Sequence, residues 1–349
     1  MDDTIQKKAI IIGAGIAGLS LAVRLQSKGI QVSVFEANSY PGGKLTELSK
    51  KGYRFDMGPS LFTMPQFVEE LFSISNKNIN HYFSYKKKET VCHYFYKDGT
   101  FFKASSDTDT FSSDAANIFD VKKNTIDNYF KKSKKKYELT SSLFLEKSLH
   151  KISTYLSKDT LKAIFNVRNL DINISLHEYN TSNFDDPKLI QLFDRFATYN
   201  GSSPYLTPGI MSMIPHLEQY YGTFFPKGGM HSITESIYKL AQDLGVHFYF
   251  NSTVNRIHIE NQIAVGISVN SKDFYGDFII SNSDVVPTYK NLIKDQKPPL
   301  KTLKQPRSSS ALIFYWGIKK EFPSLDLHNI FFSDNYEKEF TYIFEKKKV

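Results

Sequence analysis

A chain of 349 residues exceeds the usual size of one hydrophobic core, so two domains are expected. Its 41% hydrophobic and 23% charged residues are ordinary for a globular protein. A net charge of +8 favours an anionic partner such as a nucleotide or a membrane surface; with no recognition-helix, zinc-finger or RNP pattern, nucleic acid is not expected.

The first element is Ala9-Ile10-Ile11-Ile12, a continuous apolar run of the kind found in a strand buried on both faces. It leads into Gly13-Ala14-Gly15-Ile16-Ala17-Gly18, and a helix should follow to about Lys28, closed by Gly29. Ile30 to Phe35 reads as the second strand, ended by Glu36. Each position has a reason. Gly13 permits the tight turn, Gly15 lets the backbone approach a diphosphate, and Gly18 allows helix and sheet to touch. Ile16 and Ala17 open the helix, whose unpaired N–H groups and partial positive charge suit a phosphate. Glu36 can accept hydrogen bonds from ribose hydroxyls and would repel a 2′-phosphate, which disfavours NADP. These residues predict a dinucleotide site.

After Glu36 come Ala37 and then Pro41-Gly42-Gly43-Lys44, which read alone form a turn with a solvated lysine. Following a complete fingerprint, the doublet resembles that of the flavoprotein superfamily of amine oxidases, protoporphyrinogen oxidases and carotenoid desaturases. The resemblance implies FAD, with Gly42 and Gly43 admitting a second loop to the cofactor and Lys44 near its pyrophosphate. Phe55-Asp56-Met57-Gly58-Pro59-Ser60 is similar to the desaturase segment that crosses the flavin, so Gly58, Pro59 and Ser60 are expected beside the isoalloxazine.

Residues 67 to about 180 read as an insertion. Val91–Tyr96 and Thr100–Phe102 flank Lys97-Asp98-Gly99 as a hairpin, and helical patterns follow from Asp114 to about Asn166. Within them, Lys131-Lys132-Ser133-Lys134-Lys135-Lys136 precedes Tyr137, Leu139, Leu143, Phe144, Leu145 and Leu149. Such a basic amphipathic stretch can rest on an anionic bilayer, although a solvated helix face is the more common meaning of a charge run. The 29 Phe and 21 Tyr could wall a long apolar ligand, or reflect a biased composition.

Phe193 to Pro204 resembles the substrate-domain helix and loop of carotenoid desaturases. There Arg195 would line a tunnel mouth or orient a polar end group, unless it pairs at the surface with Asp194 or Asp185. Phe225-Pro226-Lys227-Gly228-Gly229-Met230 resembles the return to the FAD domain, before a helix Ile233 to Leu244 and a strand Val246 to Phe250. The resemblance sets the backbone of Val254 at the adenine edge. Ile263 to Val269 with Phe274 to Asp277 should make a β-ribbon, and Phe278 to Asp284 a strand and turn beside FAD. A strand-like run from Ser308 to Gly317 should re-enter the substrate domain.

The expected fold class is α/β: a Rossmann-like FAD-binding domain, doubly wound with a β-ribbon, plus an α+β substrate domain. The domains are placed at 1–66 and 223–290 for FAD, and 67–222 and 291–349 for substrate. Within the family, the 55–65 and 311–317 segments look most like bacterial hydroxycarotenoid 3,4-desaturases. The implied activity removes two hydrogens from adjacent carbons of a polyene, and no residue is named as a catalytic base. The resemblance also implies a Gly-rich closing segment beyond Val349, so the chain reads as C-terminally truncated. Another amine-oxidase-type oxidoreductase and a non-catalytic remnant stay open.

The nine histidines show no His-Glu-x-x-His spacing, so no metal is expected. Cys92 stands alone, the N-terminus lacks a signal-peptide layout, and the run Ala9 to Val23 is too short to span a bilayer. A cytoplasmic protein is expected, peripheral at the inner face of the membrane, with a carotenoid as substrate.

Overall fold

The computed structural model describes residues 6–141, 151, 170–294, 296–305 and 307–347. The chain divides into two compact units, Met1–Lys86 with Phe224–Pro306, and Lys87–Thr223 with Arg307–Val349.

In the first unit four parallel strands run in the order Phe278–Ser281, Lys8–Ile12, Gln31–Phe35, His247–Tyr249. The apolar run of the first strand is explained by its two faces. Ala9 and Ile11 join a cluster with Leu19, Val23, Ile237 and Leu240 from the helices Ile16–Gln26 and His231–Asp243. Ile10 and Ile12 face the other way, onto Val254, Ile257, Ile267 and Val269. Each fully buried isoleucine contributes about 1.5–3 kcal/mol, so a strand with no polar face is stable only between two layers. The second layer is the ribbon, which has three antiparallel strands because Val254–Glu260 pairs with Ile263–Val269, and that with Lys272–Tyr275.

The second unit opens with the expected hairpin, Thr90–Phe95 against Phe101–Ser105, and gains a parallel third strand, Asn329–Phe331. Helices Thr108–Ile118, Lys123–Ser141, Leu176–Thr181 and Pro187–Asp194 pack with it. Much of the aromatic content lies in this core, where Phe193 stacks on Phe184 and lies 4.4 Å from the Tyr129 ring. No helix among the described residues is long and apolar enough to cross a membrane.

Three expectations change. The helical stretch from Asp114 is interrupted after Ile118 and resumes at Lys123; its continuation beyond Ser141, with Leu143, Phe144, Leu145 and Leu149, lies outside the described residues. The lysine run is not one solvated face. Ser133, Lys136, Tyr137 and Thr140 follow helical spacing inward, and Lys136 pairs with Asp171 at 2.8 Å over the Tyr179 ring. Finally, 308–317 forms no helix and joins no strand among the described residues. Its side chains are apolar on both faces, which suits a central strand with neighbours on each edge, and no such ladder forms here. Leu312, Phe314 and Trp316 are exposed, Trp316 by 72%. Since Trp316 is the only tryptophan, the purified chain should emit with the red-shifted spectrum of a hydrated indole and be quenched freely by iodide. A blue-shifted, protected emission would contradict this placement.

Candidate functional site

The first strand ends at Ile12, and the chain turns through Gly13, whose φ of +97° is the left-handed region that glycine tolerates. The helix Ile16–Gln26 begins at once, with Gly15 as N-cap and no side chain capping it. Its first N–H groups are therefore left for a ligand. Gly18 is held by distance. A Cβ there would lie 2.2 Å from the Gly13 carbonyl oxygen and 2.8 Å from Asn282 Nδ2. The helix thus approaches the corner more closely than any other residue would allow.

The Pro41–Lys44 loop packs onto this corner. Gly42 N–H donates to the Ala14 carbonyl at 2.8 Å, and a Cβ on Gly43 would stand 3.3 Å from Gly15 Cα. Gly42 has φ +115°, and its Cβ would meet the Leu45 carbonyl oxygen at 2.5 Å. Gly58 closes the next layer, since a Cβ there would sit 2.0 Å from the Lys44 carbonyl oxygen. Its requirement is contact with the neighbouring loop.

Glu36 is buried at the tip of the second strand. Its Oε2 accepts the Ala14 N–H at 2.8 Å, and its Oε1 accepts the Asn38 N–H and Nδ2 at 2.9 and 2.8 Å. Three donors use three of roughly four lone-pair sites on a carboxylate, leaving capacity for a hydroxyl.

Two cavities meet at the corner, both lined by Gly13, Glu36 and Ser283. One, of about 690 Å³, has Gly15, Ile16, Ala17, Gly42, Gly43 and Lys44 on one side. The lining also includes the apolar side chains of Pro59, Phe62, Val68 and Met230. The other, of about 510 Å³, carries Ala37 and Val254. Eleven of the fourteen cofactor-binding residues read from sequence lie on these walls; Gly18, Gly58 and Ser60 stand outside them. A molecule with two ring systems joined by a diphosphate matches two cavities joined at such a corner.

Two residues at this site carry roles that the sequence reading did not give them. Asn282 touches the space beside all three corner glycines, and its Nδ2 donates to the Gly13 carbonyl at 3.4 Å. Asp56 joins the two segments of the unit. It accepts the N–H groups of Met230 and His231 at 2.9 and 3.0 Å and pairs with Arg54 at 3.0 Å. Burial alone would raise its carboxyl, but these donors outweigh it and hold the pKa below its ordinary value of 3.8. The carboxylate faces the start of helix His231–Asp243, where a negative charge is stabilising. Its contribution is complete above the unfolded value and is lost as pH falls through the lower folded one. Asp56→Asn should therefore cost about 1–2 kcal/mol at pH 7. Urea unfolding should show that deficit shrinking below pH 4; an equal deficit at pH 3 would remove the charge argument.

Arg195 lies in the second unit and is buried. Its ion pair is with Glu218, at 2.9 Å, and its Nε donates to the Tyr94 hydroxyl at 2.6 Å. Pairing with Asp194 at the surface does not occur, because Asp194 faces inward and receives His177 Nδ1 at 2.6 Å and Asn180 Nδ2 at 2.8 Å. Among the described residues no three His, Cys, Asp or Glu side chains converge as a metal site.

The family model described as flavin containing amine oxidoreductase matches residues 16–311. The chain is 57% identical, over 98% of its length and 70% of the relative's, to a 1-hydroxycarotenoid 3,4-desaturase of Flavobacterium sp. (strain P99-3). It is 30% identical to a 4,4'-diapolycopene oxygenase of Methylomonas sp., covering all of this chain and 70% of that one. Among solved structures, an oxidoreductase from Methanosarcina mazei matches with a TM-score of 0.56 at 20% identity, over 84% of this chain and 63% of the other. That last likeness bears on the fold alone.

Proposed function

This chain belongs to the flavin-containing amine oxidoreductases, and on that premise we propose that it acts as a carotenoid desaturase, removing two hydrogens from adjacent carbons of a hydroxylated polyene. FAD is the cofactor of this family, and when bound it supplies the hydride-accepting ring. The observation that carries the reading is the glycine corner, where a single Cβ on Gly18 would collide with the Gly13 carbonyl at 2.2 Å.

In this reading the amides opening helix Ile16–Gln26 hold the diphosphate, and Lys44 adds positive charge. Glu36 takes the ribose, Ala37 and Val254 border the adenine, Gly42, Gly43 and Pro59 border the flavin, and Gly58 backs that wall through its close approach to Lys44. The apolar wall of Phe62, Val68 and Met230 keeps water from the ring. The first unit is the FAD-binding domain and the second the substrate domain. Arg195, held by Glu218 and Tyr94, is the residue of the second unit assigned to the polar end of the substrate. A conjugated chain spreads developing positive charge, so a strong base is not required. The substrate's low solubility places the protein at the membrane periphery, on the cytoplasmic side.

The test is expression in a host that accumulates 1-hydroxylated carotenes, with the flavin content of the purified protein measured in parallel. The expected result is bound FAD and a pigment whose absorption moves to longer wavelength as conjugation lengthens. FAD-loaded protein that leaves the pigment unchanged would refute the desaturase reading while sparing the flavin site.

A further inference from the structure

We propose that Asn38 is a positioning residue for Glu36, and that it sets the preference of the site for a nucleotide carrying ribose hydroxyls. The inference rests on the flavin-site reading above and adds to it a residue that lines neither cavity.

Glu36 is 7% exposed, and a buried carboxylate needs donors from the protein to stand in for water. Its two oxygens are treated differently. Oε1 accepts two bonds, both from Asn38, through the backbone N–H at 2.9 Å and Nδ2 at 2.8 Å. Oε2 accepts one, from the Ala14 N–H at 2.8 Å. Each carboxylate oxygen offers two lone pairs, so Oε1 is filled and the open position lies on Oε2. Oε2 is also the oxygen tied to the glycine corner, where the two cavities meet. Asn38 therefore decides which oxygen is free and which way it points. The orientation of its amide follows from the partner: opposite an anion only Nδ2 can bond, because Oδ1 has no proton to give.

The same stretch holds the wall assigned to the adenine. The Glu36 carbonyl accepts the Ser252 N–H at 2.8 Å, and the Asn38 carbonyl accepts the Asn251 N–H at 3.0 Å. Ser252 lines the cavity that carries Ala37 and Val254. Asn251 takes a left-handed φ of +51°, which asparagine adopts more readily than most residues. These bonds use main-chain atoms, and a change of the Asn38 side chain leaves them in place. Removing Nδ2 thus frees the carboxylate without dismantling the turn. Asn38→Asp is the sharper variant. It keeps the shape of the side chain, replaces the donor with an acceptor, and sets a second negative charge against Oε1.

The test is displacement of FAD from the purified chain, followed by flavin fluorescence, with ADP and 2′,3′-dideoxy-ADP as competitors. The ratio of their half-displacing concentrations isolates the hydroxyl contacts, because the affinity for FAD cancels from it. We expect wild type to favour ADP about tenfold, the worth of one charge-assisted hydrogen bond. Asn38→Ala should lower that preference to about threefold and Asn38→Asp to about one. A merely structural role would weaken both nucleotides alike and leave the ratio unchanged. Asn38→Asp with the wild-type ratio would overturn the proposal alone. A wild type that holds no FAD, or does not distinguish the two nucleotides, would overturn the ribose reading together with it. Neither result depends on whether the pigment is desaturated.

Discussion

Gly18→Ala should abolish FAD retention and destabilise the chain, whereas Gly15→Ala should impair FAD binding while leaving the fold nearly intact. The difference lies in what each methyl meets. At Gly18 it falls 2.2 Å from the Gly13 carbonyl oxygen, which is backbone and cannot swing aside. The helix must lift from the sheet, and overpacking of this kind costs about 1–3 kcal/mol or more. The lift also carries the helix N-terminus away from the corner, so the diphosphate loses its donors. At Gly15 the nearest atom is Asn282 Nδ2 at 3.2 Å, the end of a movable side chain. The methyl there intrudes on ligand space. Denaturant midpoints and FAD titrations on both variants separate the two effects; a Gly18→Ala protein that binds FAD like wild type would mean the close approach is not required.

Glu218→Ala should cost about 3–5 kcal/mol, the penalty for leaving a buried charge without its partner. Arg195 is 7% exposed and Glu218 2%, and both carboxylate oxygens accept from Arg195 Nη2, at 3.2 and 2.9 Å. The Tyr199 hydroxyl donates to the same carboxylate, so truncation strands a tyrosine as well. Arg195→Met with Glu218→Leu should recover part of the loss, because an apolar pair avoids the desolvation that the ion pair incurs. Chemical unfolding of the singles and the double checks this. A single variant costing less than about 1 kcal/mol would place the pair in the class of solvent-screened contacts.

What could be read from the sequence was local. A strand buried on both faces, a turn demanding positive φ and a helix opening without a capping side chain leave their marks within a few adjacent residues, and Gly13 to Glu36 carried them all. The contacts of Asn282 and Asp56 were harder to see. Asn282 meets Gly13 across 269 residues, and Asp56 meets Met230 across 174; nothing beside either residue announces the partner. The Arg195 pair was sought among neighbouring aspartates, yet Asp194 faces the opposite side of its helix end, toward His177. Charge counting misread Lys136, although its spacing from Tyr129 and Ser133 already placed it inward. The run 308–317 has strand composition, but a strand also needs a ladder, and composition does not say where the neighbour lies.

The most direct measurement is a crystal structure of the protein grown with FAD. It should place the diphosphate against the first amides of helix Ile16–Gln26 and a ribose hydroxyl on the Glu36 carboxylate. A dinucleotide bound elsewhere, or one whose sugar leaves Glu36 untouched, would contradict the flavin site drawn from Gly13, Gly15 and Gly18.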